Sequence, residues 1–176
     1  MLIPAAGSGS RMKAGKNKLL IEIEGESLIY WTLKSIFSAS SITWVGIIGQ
    51  PRDKELLLES AKDFSSKVHW IDGGDTRQES VFNGLNSLPY DADKVLIHDG
   101  ARCLIYPELI NRCASALEEN DAIVLATKVT DTIKIVDKLD FIKETPNREY
   151  LWAAQTPQGF SVCSLKKAHK MAIDKN

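Results

Sequence analysis

Apolar and polar positions alternate along this chain in two rhythms, and the switch between them divides it. Leu2-Ile3 opens a short apolar run that gives way to Pro4-Ala5-Ala6-Gly7-Ser8-Gly9-Ser10, a stretch of small residues. Behind Ser27, a plausible N-cap, Leu28, Ile29, Trp31, Leu33, Ile36 and Phe37 recur at helical spacing. The β-rich run Ile42 to Ile48 follows, then Leu57, Ala61 and Phe64 on a second helical face. Val68 to Ile71 predicts a strand, Val81, Leu85 and Leu88 a helix closed by Pro89, and Val95-Leu96-Ile97 a buried strand. Leu109, Ile110, Cys113, Ala114 and Leu117 give a further helix, and Ala122 to Thr127 a fifth strand. Continuous apolar strands alternating with helices over short connections predict a mostly parallel sheet covered by helices.

After Thr127 the period falls to two. Asp131-Thr132-Ile133-Lys134-Ile135-Val136 alternates, Asp137 to Asp140 reads as a turn, and Phe141-Ile142-Lys143 resumes, which predicts a β-hairpin. Two strands make no core of their own, so the hairpin must lie on this domain or on another subunit. Leu151 to Gln155 leads back toward the sheet, Thr156-Pro157-Gln158-Gly159 is expected to turn the chain, and Val162 to Met171 to form a last helix.

Composition narrows the class. With 176 residues and 44% hydrophobic content the chain can bury a real core as one domain. A net charge of −1 argues against a nucleic-acid or membrane surface held by bulk electrostatics, so its basic groups must act locally. Cys103, Cys113 and Cys163 are odd in number and widely spaced, which suits free, core-packed thiols in a reducing compartment. Pro4, Gly7 and Arg11 interrupt the N-terminus before an apolar leader can form, and no apolar run reaches membrane-spanning length. A cytoplasmic location is the expectation.

The chemistry gathers at predicted strand ends, where ligands of parallel sheets sit. Gly7 and Gly9 can turn backbone N–H groups toward an anion, with Arg11 and Lys18 nearby to supply charge. The loop is not a Walker loop, since Ser10 and Asn17 stand where that motif needs glycine and a hydroxyl. Nor is it a dinucleotide fingerprint, because Met12 replaces the third glycine. Gly73-Gly74-Asp75 forms a second loop before a helix start, and Asp99 ends a strand. A strand-end aspartate often only caps a turn, but beside two such loops it suits Mg²⁺, which takes most of its ligands from phosphate and water. His98 reads as a packing neighbour, and His69 and His169 carry no signal.

Pro4 to Met12 with Lys18, Gly73 to Ser80, His98-Asp99-Gly100-Ala101-Arg102, Asp131-Thr132-Ile133-Lys134 and Thr156-Pro157-Gln158 together resemble the 2-C-methyl-D-erythritol 4-phosphate cytidylyltransferase family, in its order and spacing over nearly the whole chain. The resemblance implies a Rossmann-like nucleotidyltransferase sheet, with CTP and the sugar-alcohol phosphate as substrates and pyrophosphate as a product of non-mevalonate isoprenoid synthesis. It makes Ala5, Ala6, Gly7 and Gly9 the triphosphate loop, and Arg11 and Lys18 the catalytic charges on the α-phosphate. It gives Gly74, Asp75 and Ser80 the cytosine, Asp99 the Mg²⁺, and Arg102 a nucleotide-side place beside it. Thr132 and Arg148 would reach the acceptor of a partner subunit, which makes residues 131–155 the arm of a homodimer. The family continues past the position of Asn176 through a Thr-Asp-Asp/Glu-Ala and an Asn-x-Lys segment, so weak or no activity is expected of this polypeptide alone. Ribitol 5-phosphate cytidylyltransferases, or a non-catalytic nucleotide-binding module, are the alternatives.

Overall fold

The computed structural model describes residues 1–7 and 17–174. In chain order these form β1 (Leu2–Pro4), β2 (Glu22–Ile23), β3 (Glu26–Ser27), α1 (Leu28–Phe37), β4 (Gly46–Gly49), α2 (Lys54–Ser60), β5 (His69–Asp72) and α3 (Arg77–Asn86). There follow β6 (Lys94–Ile97), α4 (Pro107–Ala116), β7 (Ala122–Lys128), β8 (Ile135–Val136), β9 (Ile142–Glu144), β10 (Trp152–Ser161) and α5 (Val162–Ile173). Helix starts follow the expected chemistry: the hydroxyls of Ser27, Thr76 and Ser161 accept from the backbone N–H of Tyr30, Glu79 and Ser164.

The central sheet has the order β5-β4-β1-β6-β10-β7. β5, β4, β1 and β6 are mutually parallel, while β10 pairs antiparallel with both β6 and β7. β7 therefore runs with the parallel strands, and β10 alone opposes them. The sheet is mostly parallel, as the apolar runs predict.

Strand alternation explains the three layers. Ile3, Ile47 and Leu96 face one core with Ile29, Leu33 and Ile36 of α1, Leu57 of α2 and Ile110 of α4. Their neighbours Leu2, Ile48, Val95 and Ile97 face the other, with Val81 and Leu85 of α3 and Val162 of α5. Gly84 lets α3 lie close to the sheet, since a Cβ there would come within 2.6 Å of the Ile48 side chain.

Two expectations need correction. Thr156-Pro157-Gln158-Gly159 does not turn the chain: it continues inside β10, with a cis Thr156–Pro157 bond and a register shift between Ala154 and Gln158. Cys103 and Cys113 are buried, whereas Cys163 is exposed on α5. The hairpin forms as β8–β9, a separate two-stranded sheet that pairs with no strand of the main one. Residues 152–155 of the expected arm 131–155 form the start of β10. Among the described residues no helix is long and apolar enough to cross a membrane.

Candidate active site

β1, β5 and β6 end along one edge of the sheet, and the loops they release enclose a cavity of about 550 Å³. Ala5, Ala6, Gly7, Lys18, Gly74, Asp75, Ser80 and Asp99 line it, so eight of the expected site residues meet there. Gly9 and Arg11 lie outside the described residues. Thr132 and Arg148 do not line the cavity: Thr132 is exposed ahead of β8, and Arg148 donates to the Thr130 carbonyl at 2.8 Å.

The first loop leaves β1 through Ala5, whose N–H donates to Ile48 O at 2.7 Å. Its far leg is fixed by Asn17, a buried residue. Asn17 Nδ2 donates to Ala5 O and to Asp53 Oδ2, both at 2.9 Å, while its Oδ1 accepts from Leu19 N at 3.1 Å. Both legs of the loop, the short 3₁₀ turn Lys18–Leu20 and the start of α2 are thereby joined through one amide. Leu19 anchors the turn in the core and Lys18 is left exposed at the cavity. Sequence reasoning missed Asn17. The available signal was an amide directly before the charged residue, but its partner Asp53 is 36 positions away.

The second loop follows β5. Gly73 N donates to Gly49 O at 2.9 Å, and a Cβ on Gly73 would stand 3.0 Å from Ala6 Cβ and 3.2 Å from Ser80 Oγ. Glycine here lets the two loops touch. Ser80 Oγ accepts from Gly74 N at 3.0 Å, Glu79 Oε2 accepts from Asp75 N at 2.8 Å, and the Thr76 cap closes the turn. Ser80, buried beneath the loop, thus shapes the Gly74 backbone at the cavity wall.

β6 delivers His98 and Asp99. His98 is fully buried between the Arg102 carbonyl, 3.2 Å from Nε2, and Thr156 Oγ1, 2.9 Å from Nδ1. A carbonyl only accepts, so Nε2 carries the proton and Nδ1 takes the Thr156 hydroxyl; the Thr156 oxygen then accepts Asp99 N–H at 3.2 Å. Burial pushes the His98 pKa down, which keeps the ring neutral. His98 packs, as the sequence suggests, and also sets the backbone of Asp99. The Asp99 carboxylate meets Arg77 Nη2 at 2.8 Å through Oδ1 and Arg102 Nε at 3.2 Å through Oδ2. Half-burial alone would raise its pKa, but the two guanidiniums outweigh this and hold it below the usual carboxylate value. Arg102 also donates to Gln155 Oε1 and lines a neighbouring cavity rather than the main one.

A glycine-bordered cavity at the carboxyl edge of a mostly parallel α/β sheet, with a lysine and a strand-end aspartate facing it, is the arrangement of a nucleotide-binding α/β protein. The family profile for 2-C-methyl-D-erythritol 4-phosphate cytidylyltransferase matches residues 1–176. A protein of that name from Prochlorococcus marinus strain MIT 9312 is 81% identical over 175 residues, covering 99% of this chain and 77% of the relative. One from strain MIT 9301 is also 81% identical, covering 99% and 78%. The crystal structure of 4-diphosphocytidyl-2C-methyl-D-erythritol synthase from Anaerococcus prevotii superposes with a TM-score of 0.87 at 30% identity, covering 98% of this chain and 75% of that one. The chain belongs to the 2-C-methyl-D-erythritol 4-phosphate cytidylyltransferase family.

Proposed function

We propose that the chain transfers the cytidylyl group of CTP to 2-C-methyl-D-erythritol 4-phosphate, yielding 4-diphosphocytidyl-2-C-methyl-D-erythritol and pyrophosphate in isoprenoid precursor synthesis. The observation that carries this is the convergence of Lys18, the Gly74–Ser80 loop and Asp99 on one cavity, in a chain 81% identical to relatives of that name. An acceptor phosphate oxygen bonds to the α-phosphorus of CTP while the α–β bridging bond breaks and pyrophosphate departs. The attacking oxygen is already anionic near neutral pH, so no base is required. His98, neutral with both ring nitrogens engaged, fits that chemistry because it neither needs nor is able to take a proton from substrate. The work left to the protein is electrostatic: Lys18 faces the growing charge on the α-phosphate, and Arg11 is proposed to join it.

The donor set suits magnesium. Asp99 offers a lone carboxylate, and among the described residues no group of three or more His, Cys, Asp and Glu side chains forms a protein cage. That matches an ion drawing its remaining ligands from substrate phosphate and water. Held by Asp99, it would offset triphosphate charge as the pyrophosphate leaves. Ala5, Ala6, Gly7 and Gly9 are proposed for the phosphates, and Gly74 and Asp75 for the base, with Ser80 fixing their backbone.

We further infer a homodimer in which Thr132 and Arg148 of the arm serve the partner's acceptor site. The exposed apolar side chains of Leu139, Phe141 and Ile142 support a covered arm. A cytosolic setting is supported by three free cysteines. Pyrophosphate release should be followed with CTP and either 2-C-methyl-D-erythritol 4-phosphate or ribitol 5-phosphate. The test is run on this chain and on a version extended to its relatives' length. Release with the methylerythritol substrate is expected; release with ribitol phosphate alone would overturn the acceptor, and CTP binding without release in either version would overturn catalysis.

A further inference from the structure

Each oxygen of the Asp99 carboxylate, where it lines the cavity, carries an arginine. Arg77 occupies Oδ1 and Arg102 occupies Oδ2, and the two arginines are held very differently. Arg102 is tied on both sides: its N–H donates to Asp99 O at 2.9 Å within one turn, and its guanidinium also donates to Gln155. Arg77 is the first residue of α3 and reaches Asp99 across 22 positions from the other loop. Its side chain is 59% exposed, it lines the cavity, and among the described residues Asp99 is the one group its guanidinium bonds.

We propose that Arg77 is a displaceable counter-cation: it holds Asp99 Oδ1 in the arrangement seen here and moves to a phosphate oxygen of the nucleoside triphosphate when a divalent cation arrives with that nucleotide. The proposal rests on the reading of Asp99 as the metal-side carboxylate. A small hard cation needs an oxygen at about 2.0–2.1 Å, and a guanidinium on that oxygen repels it. Leaving Asp99 costs Arg77 little, because an ion pair this exposed is weak. A cation arriving alone must evict Arg77 without compensation. Arriving on a triphosphate, it brings oxygens that a guanidinium bonds well, and these lie in the cavity Arg77 already lines. Metal and nucleotide therefore bind cooperatively, and each raises the other's affinity by the same factor. The exchange also frees the Gly74–Ser80 loop from the end of β6, so seating of the base and loading of the metal become one event.

Calorimetry and Mn²⁺ electron paramagnetic resonance on the purified chain test this, with Mn²⁺ alone and Mn²⁺ with CTP. Arg77→Ala should bind Mn²⁺ alone about two- to fivefold more tightly, the scale of an exposed ion pair, yet bind Mn²⁺–CTP about tenfold more weakly. Arg77→Gln, which keeps a polar side chain at the helix start, should show the same opposite signs. If both affinities fall together, or neither moves, Arg77 merely pins α3 and the proposal fails. Asp99→Asn separates the two layers of argument. If it leaves Mn²⁺–CTP binding intact, the reading of Asp99 as metal-side carboxylate falls. If it weakens that binding while the Arg77 variants lack the opposite signs, the counter-cation alone is refuted.

Discussion

Asn17 and Asp53 meet at 2.9 Å through an amide–carboxylate hydrogen bond, and the same amide nitrogen holds the carbonyl of Ala5. This bond joins the turn that carries Lys18 to α2 and to the end of β1. Removing it strands a buried carbonyl and loosens the base of the loop that follows β1. Asn17→Ala should lower stability by about 1–3 kcal/mol, the cost of unsatisfied buried groups, and raise the KM for CTP. Asn17→Asp should be worse still, since it sets a carboxylate against Asp53 and the Ala5 carbonyl. Urea denaturation with steady-state kinetics reads both; an unchanged KM in a stably folded Asn17→Ala would remove the clamp from the site.

Lys18 differs in kind, because its side chain is exposed and only its neighbour Leu19 is anchored in the core. Lys18→Ala is expected to lose about 10²–10³-fold in turnover, the usual loss for one preorganised charge, with an unchanged melting temperature. Near-normal turnover would detach Lys18 from the α-phosphate.

Gly73 holds the two loops in contact. Gly73→Ala sets a methyl 3.0 Å from Ala6 Cβ and should weaken CTP binding by about tenfold, within the range of overpacking costs. Adding Ala6→Gly removes that neighbour and should restore much of the loss. Fluorescence titration with CTP on the single and double variants measures the rescue, and its absence would mean the methyl acts elsewhere.

Acid should act on the fold through His98 before it reaches Asp99. His98 has a folded pKa below its ordinary value of 6.5, so the unfolded chain binds more protons between the two values. Stability is therefore full above about pH 6.5 and declines as pH falls toward the folded value. Asp99, depressed by Arg77 and Arg102, contributes stability above the ordinary carboxylate value that is lost as pH falls through its lower folded one. Urea unfolding across pH 7 to 5 should slope less steeply in His98→Gln, and an unaltered slope would assign the loss to other groups.

Leu139 and Phe141 test the arm. Both are exposed in the single chain, so Leu139→Lys with Phe141→Lys should leave its fold intact by circular dichroism while sedimentation shifts from dimer to monomer. A wild-type chain that sediments as a monomer at all concentrations would refute the homodimer.

Much of this architecture is written locally. The Ser27 cap and the apolar runs of β1, β4, β5 and β6 depend on near neighbours, and they are legible for that reason. β10 is not, because Pro157 and Gly159 look like punctuation. Pro157 is accommodated where the ladder already shifts between Ala154 and Gln158, so its missing N–H interrupts no regular register. The loops and Asp99 could be named from residue type. The grip of Arg77 on Asp99 and of Asn17 on Asp53 could not, since each joins segments whose proximity only the sheet order creates. Cys163 shows the converse error: a thiol counted with the core by type sits on the outer side of α5.

β10 lies between β6 and β7 and opposes both, so it starts at the edge where its neighbours finish. Residues 129–151 leave that edge from β7 and return to it beside the strand they left, with Lys128 paired to Trp152. The excursion is a closed detour. It can lengthen, shorten or change sequence without moving the register of the six strands, because extra loop length adds only slowly to the closure entropy. Four residues after the detour ends, Gln155 holds Arg102, so freedom to vary stops within one strand of the Asp99 carboxylate.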